Sequence, residues 1–102
     1  MSARKRPVRL APDAQRDYDD ILLYSFLTWG ELQMLQYRTS LDQALAELGD
    51  YPEIGRQRDQ LFPGCRSLHV ERHVLYYRIK DQEIEIARIL HEHADAVRHL
   101  KP

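Results

Sequence analysis

The chain has 102 residues, enough to bury a core as one domain without disulfides or metal ions. Its single cysteine, Cys65, excludes an internal disulfide and a cysteine-based zinc site and is typical of a reducing cytoplasm. The net charge of −1 argues against a general nucleic-acid binder, because such proteins are usually strongly basic. The basic start, MSARKRPVRL, has no apolar run behind it, and no stretch approaches the roughly 18 apolar residues that span a bilayer, so we expect a cytoplasmic protein without a signal peptide or membrane anchor.

The first 30 residues predict a short strand and then a helix. The strand is expected at residues 7–11, and Pro12 ends it while suiting the first position of the helix that follows. Apolar or small side chains then recur at helical spacing and predict one buried face: Ala14, Tyr18, Ile21, Leu22, Ser25 and Trp29. The acidic residues of this stretch are expected on the opposite side: Asp17, Asp19 and Asp20. Trp29 lies on the apolar stripe at the tip of the hairpin, where it is expected to cap the core, the alternative being that it is presented to a partner. Gly30 ends the helix.

A second helix is predicted from about Glu31 to Leu48, before the stop signals Gly49 and Pro52. Its apolar residues again form one stripe: Met34, Tyr37, Leu41, Ala44, Leu45 and Leu48. Because almost no linker separates the two helices, they are expected to form an antiparallel hairpin.

The second half of the chain predicts a sheet. Residues 50–64 hold two prolines and two glycines and are expected to be a loop, after which the apolar period changes to two. Strands are predicted at residues 65–70, 73–79 and 83–90, joined by tight turns, and a short helix at about 92–100. In the last strand the alternation places these side chains on one face: Ile84, Ile86, Arg88 and Leu90. The expected fold is α+β, in the order β-α-α-β-β-β, with the helical hairpin packed on a four-stranded, mainly antiparallel sheet and a short C-terminal helix, all in one domain over residues 1–102.

His91, His93 and Asp95 spell HxHxD, the opening of a dinuclear metallohydrolase signature. Such a centre takes about six or more ligands from separate strands, and His69 and His73 are the other histidines before this motif. We therefore expect neither a metal site nor a cofactor.

Several motifs together identify a family. In order along the chain they are LAPDAQRDYDDI, YSFLTWG, YPEIGR, PGCRSLHVERHVLYYRI and IEIARILHEHADAVRHL. This set, covering about residues 8–100, resembles the ParE branch of the ParE/RelE superfamily, the toxins of bacterial type II toxin–antitoxin modules. The resemblance implies a cytoplasmic toxin that poisons DNA gyrase without assigned catalysis. It also implies a hetero-oligomer with a cognate antitoxin, commonly of ribbon-helix-helix type, through which alone operator DNA is bound.

The basic residues between positions 56 and 80 fit such a partner. An antitoxin segment that folds on binding, with acidic side chains meeting arginines, is a common recognition mode. The candidate antitoxin- or target-binding residues are Tyr51, Ile54, Arg56, Arg58, Arg66, Arg72, Arg78 and Arg98. A solvated surface without a partner is the alternative for this basic segment.

The RelE branch, which cleaves ribosome-bound mRNA, is the alternative function. That chemistry needs a base, an acid and cations on the scissile phosphate. The residues available for it are His91 as base or acid, Arg66 and Arg88 as phosphate clamps, and Tyr76 or His69 in support. Residues 31–55, however, carry one basic residue against five acidic ones, and ribosomal RNA would repel such a surface. Gyrase poisoning is therefore favoured, and a non-toxic antitoxin-binding relative is the third possibility.

Overall fold

A five-stranded sheet carries a helical hairpin on one face. The computed structural model describes residues 6–100; the first five residues of the basic start and the last two residues lie outside it. The elements are β1 (Val8–Leu10), α1 (Pro12–Trp29), α2 (Glu31–Asp50), a 3-10 turn (Pro52–Ile54), β2 (Arg56–Gln57), β3 (Arg66–Val70), β4 (His73–Ile79), β5 (Ile84–His91) and α3 (Ala96–Leu100). The predicted α+β class and the packed hairpin are confirmed.

The strand order is β1-β5-β4-β3-β2, with β1 parallel to β5 and the other neighbours antiparallel. The prediction of four strands missed β2, which lies inside the expected loop. Two residues are too few to leave an alternating pattern, and β2 pairs only with Arg66 and Ser67 at the start of β3.

The hairpin turns at Gly30, whose φ of +93° is a conformation that favours glycine. Its backbone N–H donates to the Phe26 carbonyl oxygen at 2.9 Å and closes α1. The second helix continues two residues beyond the predicted end at Leu48, because the N–H of Tyr51 still donates to the Glu47 carbonyl oxygen. Pro52, which has no N–H, is the residue that stops it.

The main core lies between the hairpin and the sheet. Its buried residues come from both layers: Ala14, Leu48, Leu75, Tyr77, Ile84, Ile86 and Ile89. A second cluster lies on the other face of the sheet, where Tyr76 and Leu90 meet Leu61 and Cys65 beneath partly buried residues of the C-terminal segment. Cys65 is buried, and burial raises the pKa of its thiol to about 11, so the thiol stays protonated at neutral pH.

The predicted alternation along β5 is wrong beyond Ala87. Tyr76 pairs with Arg88, but its neighbour Tyr77 pairs with Ile86, so β5 contains one extra residue at this point. This β-bulge shifts the phase of the strand. Ile89 therefore joins Ile86 in the main core, and Leu90 packs in the second cluster.

The predicted place of Trp29 in the core is also wrong, because 64% of its surface is exposed. The reason is that the hairpin extends past the sheet. Within residues 6–100, neither core cluster contains a residue of α1 beyond Ile21. The last two turns of α1 therefore lie outside both clusters.

Candidate functional site

A groove of about 560 Å³ lies on the face of the sheet opposite the hairpin. Its floor consists of Ser67 and His69 from β3 with Val74 and Tyr76 from β4. One wall is Ile54, Arg56 and Arg58; the other is the segment after β5, Glu92 and Ala94 to Val97. The groove thus combines apolar side chains with charges of both signs.

Arg58 is the cation most in need of a partner in this groove. Its Nε atom is buried and has no hydrogen-bond acceptor among residues 6–100. An unpaired buried donor of this kind is costly. Arg58 also lines the groove, where a carboxylate of a bound protein could pair with its positive charge. Arg56 lies beside it on the edge strand and is exposed.

The wall that carries Ile54 and Arg56 is fixed from beneath by Tyr77. The buried Tyr77 hydroxyl donates to the Pro52 carbonyl oxygen at 2.7 Å and accepts the Gly55 N–H at 2.9 Å. Gly55 is required here because a Cβ atom would overlap the Tyr77 hydroxyl. Arg66 adds a second tie, donating to the carbonyl oxygens of Glu53 and Gly55 at 3.2 and 2.8 Å.

The predicted binding residues therefore divide into two groups. Ile54, Arg56 and Arg58 meet in the groove, whereas Arg66 holds the loop. The remaining candidates lie elsewhere on the surface. Arg78 stacks over the Phe62 ring at 5.0 Å and pairs with Glu85, Arg72 lies in the β3–β4 turn, Tyr51 is exposed at the end of α2, and Arg98 is exposed on α3.

The residues considered for RNA cleavage are held by separate partners. Arg88 donates through Nε and a terminal nitrogen to both carboxylate oxygens of Asp17, at 2.7 and 3.0 Å. His69 pairs with Glu92 at 2.9 Å, Tyr76 is buried in the groove floor, and His91 lies against the ring of His73.

Asp17 was predicted on the outer side of α1, and this is wrong. Besides binding Arg88, its carboxylate accepts the backbone N–H of Ile89 at 3.0 Å. The hydrogen bonds to Asp17 raise the pKa of Arg88. The sequence did contain the signal, because residues 14, 17, 18 and 21 share one helical face.

A second cavity, of about 740 Å³, lies where the hairpin passes the ends of β4 and β5. Tyr24, Trp29 and Tyr37 line it together with His73 and His91. No sequence pattern predicts this cavity, because its aromatic residues lie on two helices and the apolar spacing does not show where the helices cross.

His73 is neutral in this cavity. Burial, with a smaller contribution from His91, lowers its pKa to about 4, although Glu92 and Asp17 oppose the shift. The Tyr37 hydroxyl accepts the Arg72 N–H at 3.1 Å and therefore donates its own proton to Nδ1 of His73. Burial raises the pKa of Tyr37, so this donor stays protonated.

Over residues 6–100, no group of three or more histidine, cysteine or carboxylate side chains is placed to hold a metal ion. In the same range, no helix combines the length and apolar character needed to cross a membrane.

Comparison with known proteins gives the family. Residues 8–96 match the sequence model of the ParE toxin of the type II toxin–antitoxin system parDE. The chain is 34% identical to Toxin ParE1 of Caulobacter vibrioides, over 93% of this chain and 98% of that protein, and 35% identical to Toxin ParE1 of Mycobacterium tuberculosis, over 89% and 94%. The fold is similar to that in the chromosomal ParDE system of P. aeruginosa (TM-score 0.74, 23% identity, 87% of this chain and 98% of that one) and in the YoeB–YefM complex of Staphylococcus aureus (0.56, 20%, 85% and 97%). The chain therefore belongs to the ParE toxin family of type II toxin–antitoxin systems.

Proposed function

We propose that this ParE-family toxin poisons DNA gyrase in the cytoplasm and is neutralised by a cognate antitoxin of ribbon-helix-helix type, through which alone it reaches operator DNA. The observation that carries the proposal is the 34–35% identity to two proteins named Toxin ParE1 over about nine-tenths of the chain. The family match spans residues 8–96, so it includes both helices and all five strands.

The groove supports the antitoxin half of the proposal. A segment that folds on binding needs apolar pockets for affinity and charges for register. Ile54 and Val97 offer the apolar contacts, and Arg56 and Arg58 offer two cations for acidic side chains.

The gyrase half is tested by a supercoiling reaction with purified gyrase, with and without the toxin. Linear DNA is scored after detergent and protease treatment. We expect linear DNA to accumulate with the toxin and to disappear when the antitoxin is added. A gyrase reaction that the toxin leaves unchanged would contradict the proposal.

The antitoxin half is tested by the double substitution Arg56→Ala and Arg58→Ala. We expect antitoxin binding to weaken by at least about 10-fold, since both cations of the groove are lost. Arg16→Ala, at an exposed position on α1, is the matched control and should bind as the unaltered toxin does. Equal binding by all three chains would place the antitoxin elsewhere.

The ribonuclease alternative has weaker support, because Arg88, one of its two phosphate clamps, is already neutralised by Asp17. If gyrase is unaffected, cleavage of ribosome-bound mRNA with His91→Ala and Arg88→Ala controls becomes the next assay. If the toxin neither alters the gyrase reaction nor cleaves mRNA, the results would favour a chain that only binds its antitoxin.

A further inference from the structure

The helical hairpin is strongly acidic although the whole chain is nearly neutral. Residues 12–50 carry eight acidic residues and two basic ones, a formal charge of −6. One of these carboxylates, Asp17, forms an ion pair with Arg88 of the sheet. Asp13 pairs with Arg16 within the hairpin itself, Asp19 is exposed, and Asp20 is exposed at the edge of the cavity that Tyr24 and Trp29 line. The hairpin thus presents a negative surface to any partner.

The end of the same hairpin is apolar and exposed. Six large side chains there are between 46% and 72% exposed, and we call them the tip surface: Leu23, Tyr24, Phe26, Leu27, Trp29 and Leu32. At roughly 200 Å² for each fully exposed side chain, they expose about 750 Å² together, more than the roughly 300–600 Å² of the largest patch on a typical monomer. Patches of this size with a charged rim usually mark binding sites for proteins.

Charge decides between the possible occupants. A second copy of the chain would bring two hairpins of formal charge −6 together, which like-charge repulsion opposes. The proposed antitoxin segment is acidic and fits the arginines of the groove, on the opposite face of the sheet. The tip surface therefore calls for a third kind of partner, with an apolar centre and a basic rim.

Enzymes that act on DNA carry such basic surfaces, because they neutralise phosphates along the duplex. We propose that the tip surface and the carboxylates around it bind the DNA-contacting surface of the target enzyme. This inference rests on the proposed function, which makes that enzyme DNA gyrase. The acidic helices then take the place of phosphates, and the apolar tip supplies contact area that DNA lacks.

The test compares three double variants of the full chain in gyrase binding, linear-DNA formation and antitoxin binding. The first, Leu23→Ser with Leu27→Ser, removes apolar contact at two exposed positions. The second, Asp19→Asn with Asp20→Asn, removes charge. The control, Gln43→Ser with Ala46→Ser, places two serines on the exposed side of α2, away from the tip.

We expect the serine pair at positions 23 and 27 to weaken gyrase binding at least about 10-fold and to lower linear DNA in proportion, with antitoxin affinity changed by less than about twofold. The asparagine pair should reduce the salt dependence of gyrase binding. Short duplex DNA in excess should compete with the unaltered toxin. The control should behave as the unaltered chain.

Unchanged gyrase binding by both variants would overturn the inference and leave gyrase poisoning standing. A parallel loss of antitoxin affinity would assign the tip to the antitoxin and would also overturn it. The inference would also be overturned if sedimentation analysis showed that the unaltered chain is a dimer and that the Leu23→Ser, Leu27→Ser variant is a monomer. If the unaltered toxin formed no linear DNA, the proposed function and this inference would fall together.

Discussion

Asp17 is the residue that fastens the hairpin to the sheet. Its carboxylate accepts two hydrogen bonds from Arg88 and one from the backbone N–H of Ile89 on β5. Because β1 pairs with β5 only at residues 84–86, Asp17 supplies the acceptor for Ile89 that a longer β1 would have supplied. Both side chains of the ion pair are largely buried, at 15% and 23% exposure. Removing the carboxylate would leave a cation and an amide without their acceptor.

We expect Asp17→Ala to lower the free energy of unfolding by about 2–4 kcal/mol. Asp17→Asn should lose less, because its amide oxygen still accepts the Ile89 N–H. Urea unfolding at constant m-value measures both. Asp19→Ala, two residues along on the exposed side, is the control and should change stability by less than about 0.5 kcal/mol. A loss of similar size at Asp19 would show that the Arg88 contact adds little.

His73 makes stability depend on pH. Its pKa is lowered to about 4 by burial, whereas the unfolded chain titrates near the ordinary value of about 6.5. The unfolded state therefore binds the proton first, and stability should fall as pH drops from about 6.5 to about 4 and level off below that. The loss should be on the order of 1–2 kcal/mol, since partial exposure screens the charged form.

The matched variant is His73→Asn, whose side-chain oxygen replaces Nδ1 as acceptor for the Tyr37 hydroxyl and does not titrate. Urea unfolding between pH 7 and pH 4 should show a shallower decline for the variant than for the unaltered chain, because the carboxylates contribute equally to both. Identical slopes would contradict the assignment to His73.

At the scale of elements, apolar spacing was sufficient for both helices and for β3 to β5. The alternation around Leu75 and Tyr77 and the stripe through Leu41 and Leu48 are long enough to fix the period and the buried face. Features set by one tertiary contact were not predictable in the same way. The bulge at Ala87 depends on how β5 meets β4, and β2 depends on its pairing with Arg66.

The candidate site likewise contains some features that the sequence predicts and others that depend on tertiary contacts. The loop position and charge of Arg56 and Arg58 were visible in the sequence, and the structure places both in the groove with Ile54. The hydrogen bonds of Arg66 and Tyr77 to the loop backbone could not be predicted from the sequence, because they depend on the folded geometry. Trp29 was misplaced because apolar spacing does not reveal where the sheet beneath a helix ends. Which partner these residues bind stays a prediction.

The hairpin turn gives a prediction at this scale. Gly30 has φ +93° and ψ 174°, and a Cβ atom there would meet nothing within 4 Å, so the cost of a side chain is backbone strain alone. We expect Gly30→Ala to destabilise the chain by about 1–3 kcal/mol. Thr28→Ala, at an exposed helical position two residues earlier, should have almost no effect. Thermal unfolding of the two variants compares them, and equal midpoints would contradict a strained turn.

For the molecule as a whole, the sheet separates two apolar clusters that share no side chain. Ile84→Val in the main core should cost about 0.5–1.5 kcal/mol, and Leu61→Ala in the second cluster about 2–5 kcal/mol. Because the sheet lies between them, the double variant should show the sum within about 0.5 kcal/mol. Urea unfolding of all three chains tests this, and a clear departure from additivity would mean that the two faces repack together.

The parallel pairing of β1 with β5 joins residues 8–10 to residues 84–86, so the first strand and the last must meet before the sheet is whole. During synthesis, the hairpin can form its own contacts once residue 50 has left the ribosome, but β1 has no partner strand until residues 84–86 have followed. Sequence-distant pairing of this kind is also slow to form. A cell translating this message therefore has an interval in which the hairpin is made but the sheet is not complete, and an antitoxin already present in the cell would meet the toxin as it completes folding.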